Sequence, residues 1–311
     1  MSMEHRDVVI VGAGLTGIGA AYHLGEKCPD RSYLLLESRQ AMGGTWDLFR
    51  YPGIRSDSDM HTLGYSFKPW ESKKAIADGP SILKYVRETA AENAIEQHIR
   101  YGHRLISASW CSKQSLWTLD IRQDNSAAVV QMTCNFLYMC AGYYNYDQPH
   151  DPQFPEVDSF KGTLVHPQFW PKDLDYQDKR VVIVGSGATA MTLLPAMTDK
   201  AKQVTMLQRS PTYVLTRASE DSIANGLRKI LPATWAYAIT RVKNTLSQEV
   251  LFKQAQAFPK IAKRFFIGQV RKKLSKGYDI DKHFTPKYFP WDQRLCLVPD
   301  EDMFKAINSG G

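Results

Sequence analysis

The sequence VVIVGAGLTG, at residues 8–17, places three glycines directly after a run of apolar residues. Gly12, Gly14 and Gly17 follow the spacing GxGxxG. In this spacing the first glycine allows a tight turn, the second lets the backbone approach a pyrophosphate, and the third lets a helix pack on a strand. Residues 7–11 have the continuous apolar character of a buried parallel strand. The segment therefore predicts a strand, a phosphate-binding turn and a helix, which open a dinucleotide-binding domain.

A second predicted strand, at residues 33–36, ends at Glu37. A carboxylate about 20 residues beyond the glycines is suited to bind ribose hydroxyl groups. The loop that follows, AMGGTWDLFRYPGIRSDSD at residues 41–59, lacks the pattern of a regular element. It is either a functional loop or a surface loop pinned by its aromatic residues, and the pattern alone favours neither.

The next part of the chain predicts an amphipathic helix and an antiparallel meander. The helix is expected at residues 80–94, and the three alternating strands are expected at residues 104–110, 116–122 and 127–133, with a turn at Asp124 and Asn125. Residues 136–140 predict one more buried strand, and residues 143–155 predict an inter-domain linker.

A second glycine loop, VVIVGSGATA at residues 181–190, contains Gly185, Gly187 and Ala190 in the same spacing. After the next predicted strand, at residues 203–207, the position of the acidic residue is taken by Gln208, which Arg209 and Ser210 follow. A guanidinium and a hydroxyl group can bind a 2′-phosphate that a carboxylate would repel, so this unit is predicted to prefer NADP(H). The alternative is that Arg209 is a solvated charge.

The net charge and the cysteine content limit the classes of protein to which this chain can belong. The chain has 311 residues, enough for about two domains, and a net charge of +7, which suits anionic partners such as dinucleotides. Five scattered cysteines predict neither a disulfide framework nor a metal site, and favour a reducing, cytoplasmic location. The sequence also predicts no signal peptide and no transmembrane segment.

Residues 228–282 contain 13 Lys and Arg against 3 Asp and Glu, within a stretch that predicts helices broken at Pro232 and Pro259. A basic helical stretch can contact a membrane surface or nucleic acid. A solvated basic face is the favoured interpretation, because no nucleic-acid motif accompanies the charge.

The segment FKGTLVHPQFWP, at residues 160–171, lies between the two glycine loops and is predicted to join the two nucleotide units. It matches the pattern FxGxxxHxxxWP through Phe160, Gly162, His166, Trp170 and Pro171. The earlier loop matches a second pattern, GxWxxxxYPGxxxD, through Gly44, Trp46, Tyr51, Pro52, Gly53 and Asp57. In these patterns and their order the chain resembles the Baeyer–Villiger monooxygenases, within the flavin-containing monooxygenases, up to about Phe304.

The resemblance implies a fold, two cofactors and a reaction. The expected fold is α/β, with two Rossmann-like dinucleotide-binding domains: an FAD domain at residues 1–145, which contains the meander, and an NADP domain at residues 146–311, with a helical insertion at about 216–285. NADPH would reduce FAD, and with molecular oxygen one oxygen atom would be inserted next to a ketone carbonyl, with oxidation of sulfur compounds as a further activity. Small molecules, not nucleic acid, are the expected partners.

Site residues follow from the same resemblance. Arg294 would be the catalytic arginine, and Asp57 would hold it in place and temper its charge. Gly44, Trp46 and Asp57 would also help to bind a cofactor. His166 and Trp170 would couple NADP binding to movement of the domains. The family continues beyond the C-terminus of this chain, so a C-terminal return of the FAD domain is expected to be missing and an apolar sheet face to be exposed.

Two alternatives stay open at this stage. One is a flavin monooxygenase that oxidises only nitrogen or sulfur, and the other is an inactive nucleotide-binding fragment. A flavin disulfide reductase is not favoured, because the sequence contains no CxxC pair.

Overall fold

The computed structural model describes residues 3–124, 126 and 128–310. Its helices are α1 (Leu15–Lys27), α2 (Thr45–Leu48), α3 (Met60–Leu63), α4 (Gly79–Glu92), α5 (Ala188–Met197), α6 (Ser222–Leu227), α7 (Ala233–Ala257), α8 (Pro259–Arg271), α9 (Ile280–His283) and α10 (Asp302–Asn308). Its strands are β1 (Glu4–Val11), β2 (Tyr33–Leu36), β3 (Ile99–Arg100), β4 (His103–Cys111), β5 (Leu116–Gln123), β6 (Val129–Met139), β7 (Arg180–Val184), β8 (Gln203–Leu207), β9 (Tyr213–Arg217) and β10 (Leu295–Pro299).

The chain forms two compact units. The first comprises Met1–Phe49 and Gly79–Gln168, and the second comprises Arg50–Asp78 and Phe169–Gly311. The last crossing of the chain, between Gln168 and Phe169, falls within the segment that was predicted to join the two nucleotide units. The predicted cofactor domains divide the chain at different positions, and they stay a prediction.

A single six-stranded sheet, in the order β3-β2-β1-β6-β5-β4, forms the centre of the first unit. The strands β3, β2, β1 and β6 pair in parallel, and β6, β5 and β4 pair antiparallel as a meander. Apolar side chains of both halves form one buried cluster, which joins Val9 and Leu36 to Leu119, Ile121 and Met132. Helices α1 and α4 contact each other, and α1 also packs on β1 and β2. The mixed sheet confirms the predicted α/β class.

Strand β6 corrects two predictions. The third strand of the meander and the strand expected at residues 136–140 are one continuous strand, which pairs with β5 through Cys134 and with β1 through Met139. Its last part is exposed, with Phe136 at 58% and Met139 at 55% of full exposure. The predicted burial is wrong there because these side chains project from the faces of the sheet, and the described residues leave them largely uncovered. Of the predicted turn, Asn125 lies outside the described residues, as does Ala127, the first residue of the predicted strand.

The second unit contains two separate parallel strand pairs, β7 with β8 and β9 with β10. Helix α5 packs on β7, β8 and β10, and it also contacts α10. Apolar side chains on the first pair are exposed: Val182 at 61%, Val184 at 56% and Leu207 at 58%. An exposed apolar sheet face was predicted, and it is present in this unit.

Helices α6 to α9 lie within the stretch, at about residues 216–285, where the helical insertion is predicted. Helix α7 begins directly after Pro232 and α8 begins at Pro259. Proline is tolerated at these positions because the first residues of a helix need no intrahelical amide donor. Within the described residues, no helix has the length and apolar character needed to cross a membrane.

Candidate dinucleotide-binding site

The first glycine loop is shaped by two close backbone contacts. Gly12 has a φ of +104°, and a Cβ atom added to it would lie 2.5 Å from the carbonyl oxygen of Cys140. A Cβ on Gly17 would lie 1.9 Å from the Gly12 carbonyl oxygen, so only glycine lets α1 pack against the turn. Gly14 precedes α1, and no side-chain hydrogen bond caps that helix. The two constrained glycines build the turn, and Gly14 faces the space beyond it.

Glu37 holds this loop in position. Its side chain is buried, with 4% exposure. One carboxylate oxygen, Oε2, accepts a hydrogen bond from the Ala13 amide at 2.9 Å, and Oε1 accepts one from the Arg39 amide at 2.9 Å. The glycine loop and the turn after β2 therefore share one carboxylate. Binding of a ribose by Glu37 stays a prediction. Each carboxylate oxygen has a second lone pair that can accept a hydrogen bond from a ribose hydroxyl group.

A cleft of about 350 Å³ opens beside the loop. It collects five of the predicted cofactor residues at one place: Gly12, Gly14, Glu37, Gly44 and Trp46. Gly44 has a φ of +55°, and a Cβ on it would lie 3.2 Å from the Cα of Gly14, so two glycine backbones meet there. Gly17 does not line the cleft, because it serves the packing of helix on turn.

Two segments of the cleft wall were not predicted from the sequence. The start of β4 contributes His103, Arg104 and Leu105, and the segment after β6, residues 139–146, contributes most of another wall. The dense tyrosines in that segment, read only as a linker, were the available signal. The sheet order places β4 and β6 in one sheet with β1, which sequence spacing does not reveal.

Charged residues fix the surroundings of the cleft. Asp47 in α2 is buried and pairs with Arg39 at 2.7 Å and with Arg87 at 2.9 Å. The Arg39 guanidinium also lies 5.7 Å from the ring centroid of Tyr146, a cleft residue whose pKa burial raises. Since Asp47 is bound from two sides, α2 is tied both to the end of β2 and to α4.

In the second glycine loop, Gly185 has a φ of +135°, and Ala190 is buried in α5 at 5% exposure. Buried hydroxyl groups stabilise the loop, since the oxygens of Ser186 and Thr212 lie 3.2 Å apart. Arg209 is exposed after β8 and makes no ion pair among the described residues, and Ser210 accepts a hydrogen bond from Ser186 through its carbonyl oxygen at 3.4 Å. Both predicted phosphate-binding residues therefore follow the strand at the expected place.

Arg294 lies next to this second loop. Its Nη1 atom is 3.3 Å from the position of a Cβ added to Gly187. Asp57 is exposed, and the described part of the chain shows no ion pair between Asp57 and Arg294. Both charges act on Cys296: burial and, to a lesser degree, Asp57 raise the pKa of this thiol and Arg294 lowers it, and the result is a pKa of about 11. The charges thus lie near one thiol without contacting each other, and their catalytic roles remain a proposal.

The predicted connector is mostly exposed, with a local turn near its end. Phe160 is 61% exposed, and its ring occupies the space that a side chain on Gly162 would need. The ring nitrogen Nδ1 of His166 accepts a hydrogen bond from the Gln168 amide at 3.2 Å, and burial lowers the pKa of His166. The lowered pKa favours the neutral ring that this acceptor role requires.

The pattern ends with Trp170 and Pro171, and both residues belong to the second unit. Trp170 meets Tyr176 edge to face at 6.4 Å, and Pro171 follows it. Across the described residues, no group of three or more His, Cys, Asp or Glu side chains could hold a metal ion.

Two family models match the chain. The model of flavin-binding monooxygenase-like proteins matches residues 70–265, and that of the NAD(P)-binding Rossmann-like domain matches residues 10–72. The first match covers more than half of the chain, so the chain belongs to the flavin-binding monooxygenase-like family. The predicted membership of the flavin-containing monooxygenases is thereby confirmed.

Individual relatives are closely similar in sequence. FAD-containing monooxygenase EthA of Mycobacterium tuberculosis (strain ATCC 25618 / H37Rv) is 52% identical over 308 residues, which cover 99% of this chain and 63% of EthA. Probable FAD-binding monooxygenase AlmA of Acinetobacter baylyi is 47% identical, with 99% of this chain and 61% of AlmA covered. The chain therefore spans less than two thirds of the length of these relatives.

Solved structures share the fold. An oxidized steroid monooxygenase bound to NADP superposes with a TM-score of 0.77 at 23% identity, covering 97% of this chain and 63% of the other. Cyclohexanone-bound cyclohexanone monooxygenase superposes with a TM-score of 0.77 at 18% identity, covering 99% of this chain and 65% of the other. At these identities the likeness establishes the architecture alone.

Proposed function

We propose that this chain supplies the FAD- and NADPH-binding units of an oxygen-dependent monooxygenase that inserts one oxygen atom next to a ketone carbonyl. Oxidation of sulfur in small molecules is a further activity of the same site. The observation that carries the proposal is the position of the Arg294 guanidinium beside Gly187, at the turn of the second glycine loop. FAD reduced by NADPH supplies the oxygen-activating chemistry, and the protein supplies binding, orientation and charge.

The first cleft fits FAD. Its wall includes the backbone of Gly12, Gly14 and Gly44 and the N-terminus of α1, where amide dipoles favour a pyrophosphate. A side chain on Gly44 would meet Gly14 at 3.2 Å and the hydroxyl of Tyr146 at 3.4 Å, so the space beside the turn is kept open by glycine. Glu37, already oriented by two amides, faces the cleft as a ribose acceptor. The relatives EthA and AlmA are named as FAD-containing and FAD-binding proteins, which agrees with this assignment.

The second loop fits NADP(H). Gln208, at the place of the usual carboxylate, donates a hydrogen bond to the His283 carbonyl at 2.8 Å and brings no negative charge. Arg209 is exposed and has no ion-pair partner among the described residues, so its guanidinium can bind a 2′-phosphate. Ser210 follows with a hydroxyl group.

Arg294 would stabilise negative charge on the reacting groups. Its charge is permanent at neutral pH, and a fixed cation lowers the energy of an anionic reacting group without reorganisation of solvent. The loop that carries it is held from the interior. The Tyr288 hydroxyl donates to the Arg294 carbonyl at 2.8 Å, and the buried Tyr213 donates to the Tyr288 carbonyl at 2.6 Å. Asp57 would temper this charge from a distance, since the charges of both residues act on Cys296.

The test compares a ketone and a sulfide with the same protein. FAD should give the purified protein a yellow spectrum, and NADPH should bleach it. Arg294→Ala should lower the rate of ester formation by about 100-fold. Sulfoxidation should fall less, because it needs less stabilisation of an anion. Arg264→Ala, which removes an exposed arginine of α8, is the matched control and should leave both rates unchanged.

Other outcomes decide between the remaining candidates. Ester formation that survives Arg294→Ala would contradict the role of Arg294. Sulfide oxidation without any ester product would favour the nitrogen- or sulfur-oxidising class, which the family description "flavin-binding monooxygenase-like" also covers. A colourless protein that neither binds FAD nor consumes NADPH would favour an inactive nucleotide-binding fragment.

A further inference from the structure

Gln168 lies inside the connector at residues 160–171 but is not one of the residues of its sequence pattern. Its side chain is buried, at 3% exposure, although most of the connector is exposed. The side-chain amide donates a hydrogen bond from Nε2 to the carbonyl oxygen of Asn145 at 2.7 Å. A buried polar side chain that is aimed at one distant carbonyl implies a specific anchoring role.

The anchored residue belongs to the cleft. Asn145 lines the cleft together with its neighbours Tyr144 and Tyr146. The chain is held again just beyond Asn145. There Arg104, another cleft residue, pairs with Asp147 through Nη2 and Oδ1 at 2.9 Å. Gln168 therefore holds the cleft wall at Asn145, two residues before the aspartate that the ion pair holds.

The turn that carries Gln168 is itself fixed by the connector. Its backbone amide donates to Nδ1 of His166 at 3.2 Å, which sets the backbone of residues 166–168. The ring of His166, a residue of the sequence pattern, is thus linked to the Asn145 carbonyl through a single residue. These three residues all belong to the first unit, and the last crossing of the chain to the second unit follows Gln168 directly.

We propose that Gln168 is a positioning residue for FAD, which holds the Asn145 wall of the cleft in its binding position and links that wall to the connector at His166. The proposal rests on the assignment of FAD to this cleft. Loss of the amide leaves the Asn145 carbonyl without its buried donor, so the wall would adopt other positions and bind the flavin nucleotide less well.

The experiment uses Gln168→Met, which keeps the length of the side chain and removes the amide. Gln148→Met changes an exposed glutamine of the neighbouring segment and is the matched control. FAD is titrated into the apoprotein, and binding is followed by flavin fluorescence. The dissociation constant of FAD should rise about 10-fold in Gln168→Met, which corresponds to about 1.4 kcal/mol, and should stay unchanged in Gln148→Met. The affinity for NADP⁺, whose proposed loop lies in the second unit, should stay unchanged in both variants.

A measurement on the unmodified protein avoids any folding defect of the variant. Addition of FAD should slow amide hydrogen exchange at residues 140–147 and at residues 166–168 together. Protection of the first segment without the second would overturn the proposal.

The outcomes separate this inference from the proposed function. A wild-type protein that takes up no FAD would overturn both. Normal FAD binding by Gln168→Met would overturn the role of Gln168 and leave the FAD site intact. If Gln168→Met lowers the affinity for FAD and for NADP⁺ by the same factor and also lowers the thermal midpoint, the hydrogen bond serves only overall folding. That result also contradicts the proposal.

Discussion

The carboxylate of Glu37 accepts a hydrogen bond from the backbone amide of Ala13, the residue between the first two glycines of the loop, at 2.9 Å. One buried side chain thus sets the loop conformation and also lines the cleft. The groups that fold the site and those proposed to bind the cofactor are the same, so several substitutions should affect stability and binding together.

Glu37→Gln should lower both the stability of the protein and its affinity for FAD. The glutamine side chain keeps one oxygen and replaces the other with an NH₂ group. One of the two backbone amides, of Ala13 or Arg39, would then lose its acceptor. A buried donor without an acceptor costs about 1–3 kcal/mol. Urea unfolding should show this loss, and FAD affinity should fall by at least about 10-fold. Ser38→Ala, next to it in the cleft wall, should leave the urea midpoint within error of the wild type. An unchanged urea midpoint in Glu37→Gln would contradict the loop-holding role.

Gly17→Ala and Gly25→Ala should shift stability in opposite directions. A Cβ on Gly17 would lie 1.9 Å from the Gly12 carbonyl oxygen, whereas nothing lies within 4 Å of a Cβ on Gly25 in the same helix. Overpacking in Gly17→Ala should destabilise the protein by about 1–3 kcal/mol or more. Alanine has the higher helix propensity, so Gly25→Ala should stabilise it by about 0.5–1 kcal/mol. Thermal unfolding of the two variants checks both signs, and equal effects would refute the close approach of helix and turn.

Arg209→Gln should reduce the preference for NADP(H). A charge-assisted hydrogen bond is worth about 1.5–3 kcal/mol, so NADP⁺ affinity should fall about 10-fold to 100-fold while NAD⁺ affinity stays the same. Lys202→Gln, which changes an exposed charge just before β8, is the control for net charge. If both variants lower NADP⁺ affinity equally, Arg209 acts only as a solvated charge.

The acid stability of the protein should depend on Asp221. Burial alone would raise the pKa of this carboxylate, but hydrogen bonds from the Ala224 amide and from Lys243 outweigh it and lower the pKa to about 2, from 3.8. Since the folded-state pKa is depressed, the stabilisation is complete above pH 4 and is lost as the pH falls towards 2. It should amount to about 2 kcal/mol.

Asp221→Asn is the corresponding variant. It should be less stable than the wild type at pH 6, and the difference should shrink at pH 2, where about half of the wild-type carboxylate is protonated in the folded state. Chemical unfolding at the two pH values measures both differences. A constant difference between them would show that Asp221 contributes no pH-dependent stability.

Much of the fold could be predicted from local patterns. The strands at Tyr33–Leu36 and Gln203–Leu207 lie where the sequence predicts them, and helices begin directly after Pro232 and at Pro259, where breaks are predicted. Apolar runs, glycine spacing and proline are local signals, because they act through the backbone geometry of a few neighbouring residues. The joining of two predicted strands into β6 was not predictable in this way, since it depends on pairing with both β1 and β5.

The sequence by itself determined the two glycine turns, the family motifs and the residues at the ends of β2 and β8, because each demands a particular residue type at a fixed local spacing. Only the tertiary structure decided that Glu37 binds Ala13, that residues near Asn145 form a cleft wall, and that Arg294 lies beside Gly187 without pairing with Asp57. These relationships join positions 24 to more than 100 residues apart in the chain. Strand order and long-range packing set such contacts, and no pattern along the chain encodes them.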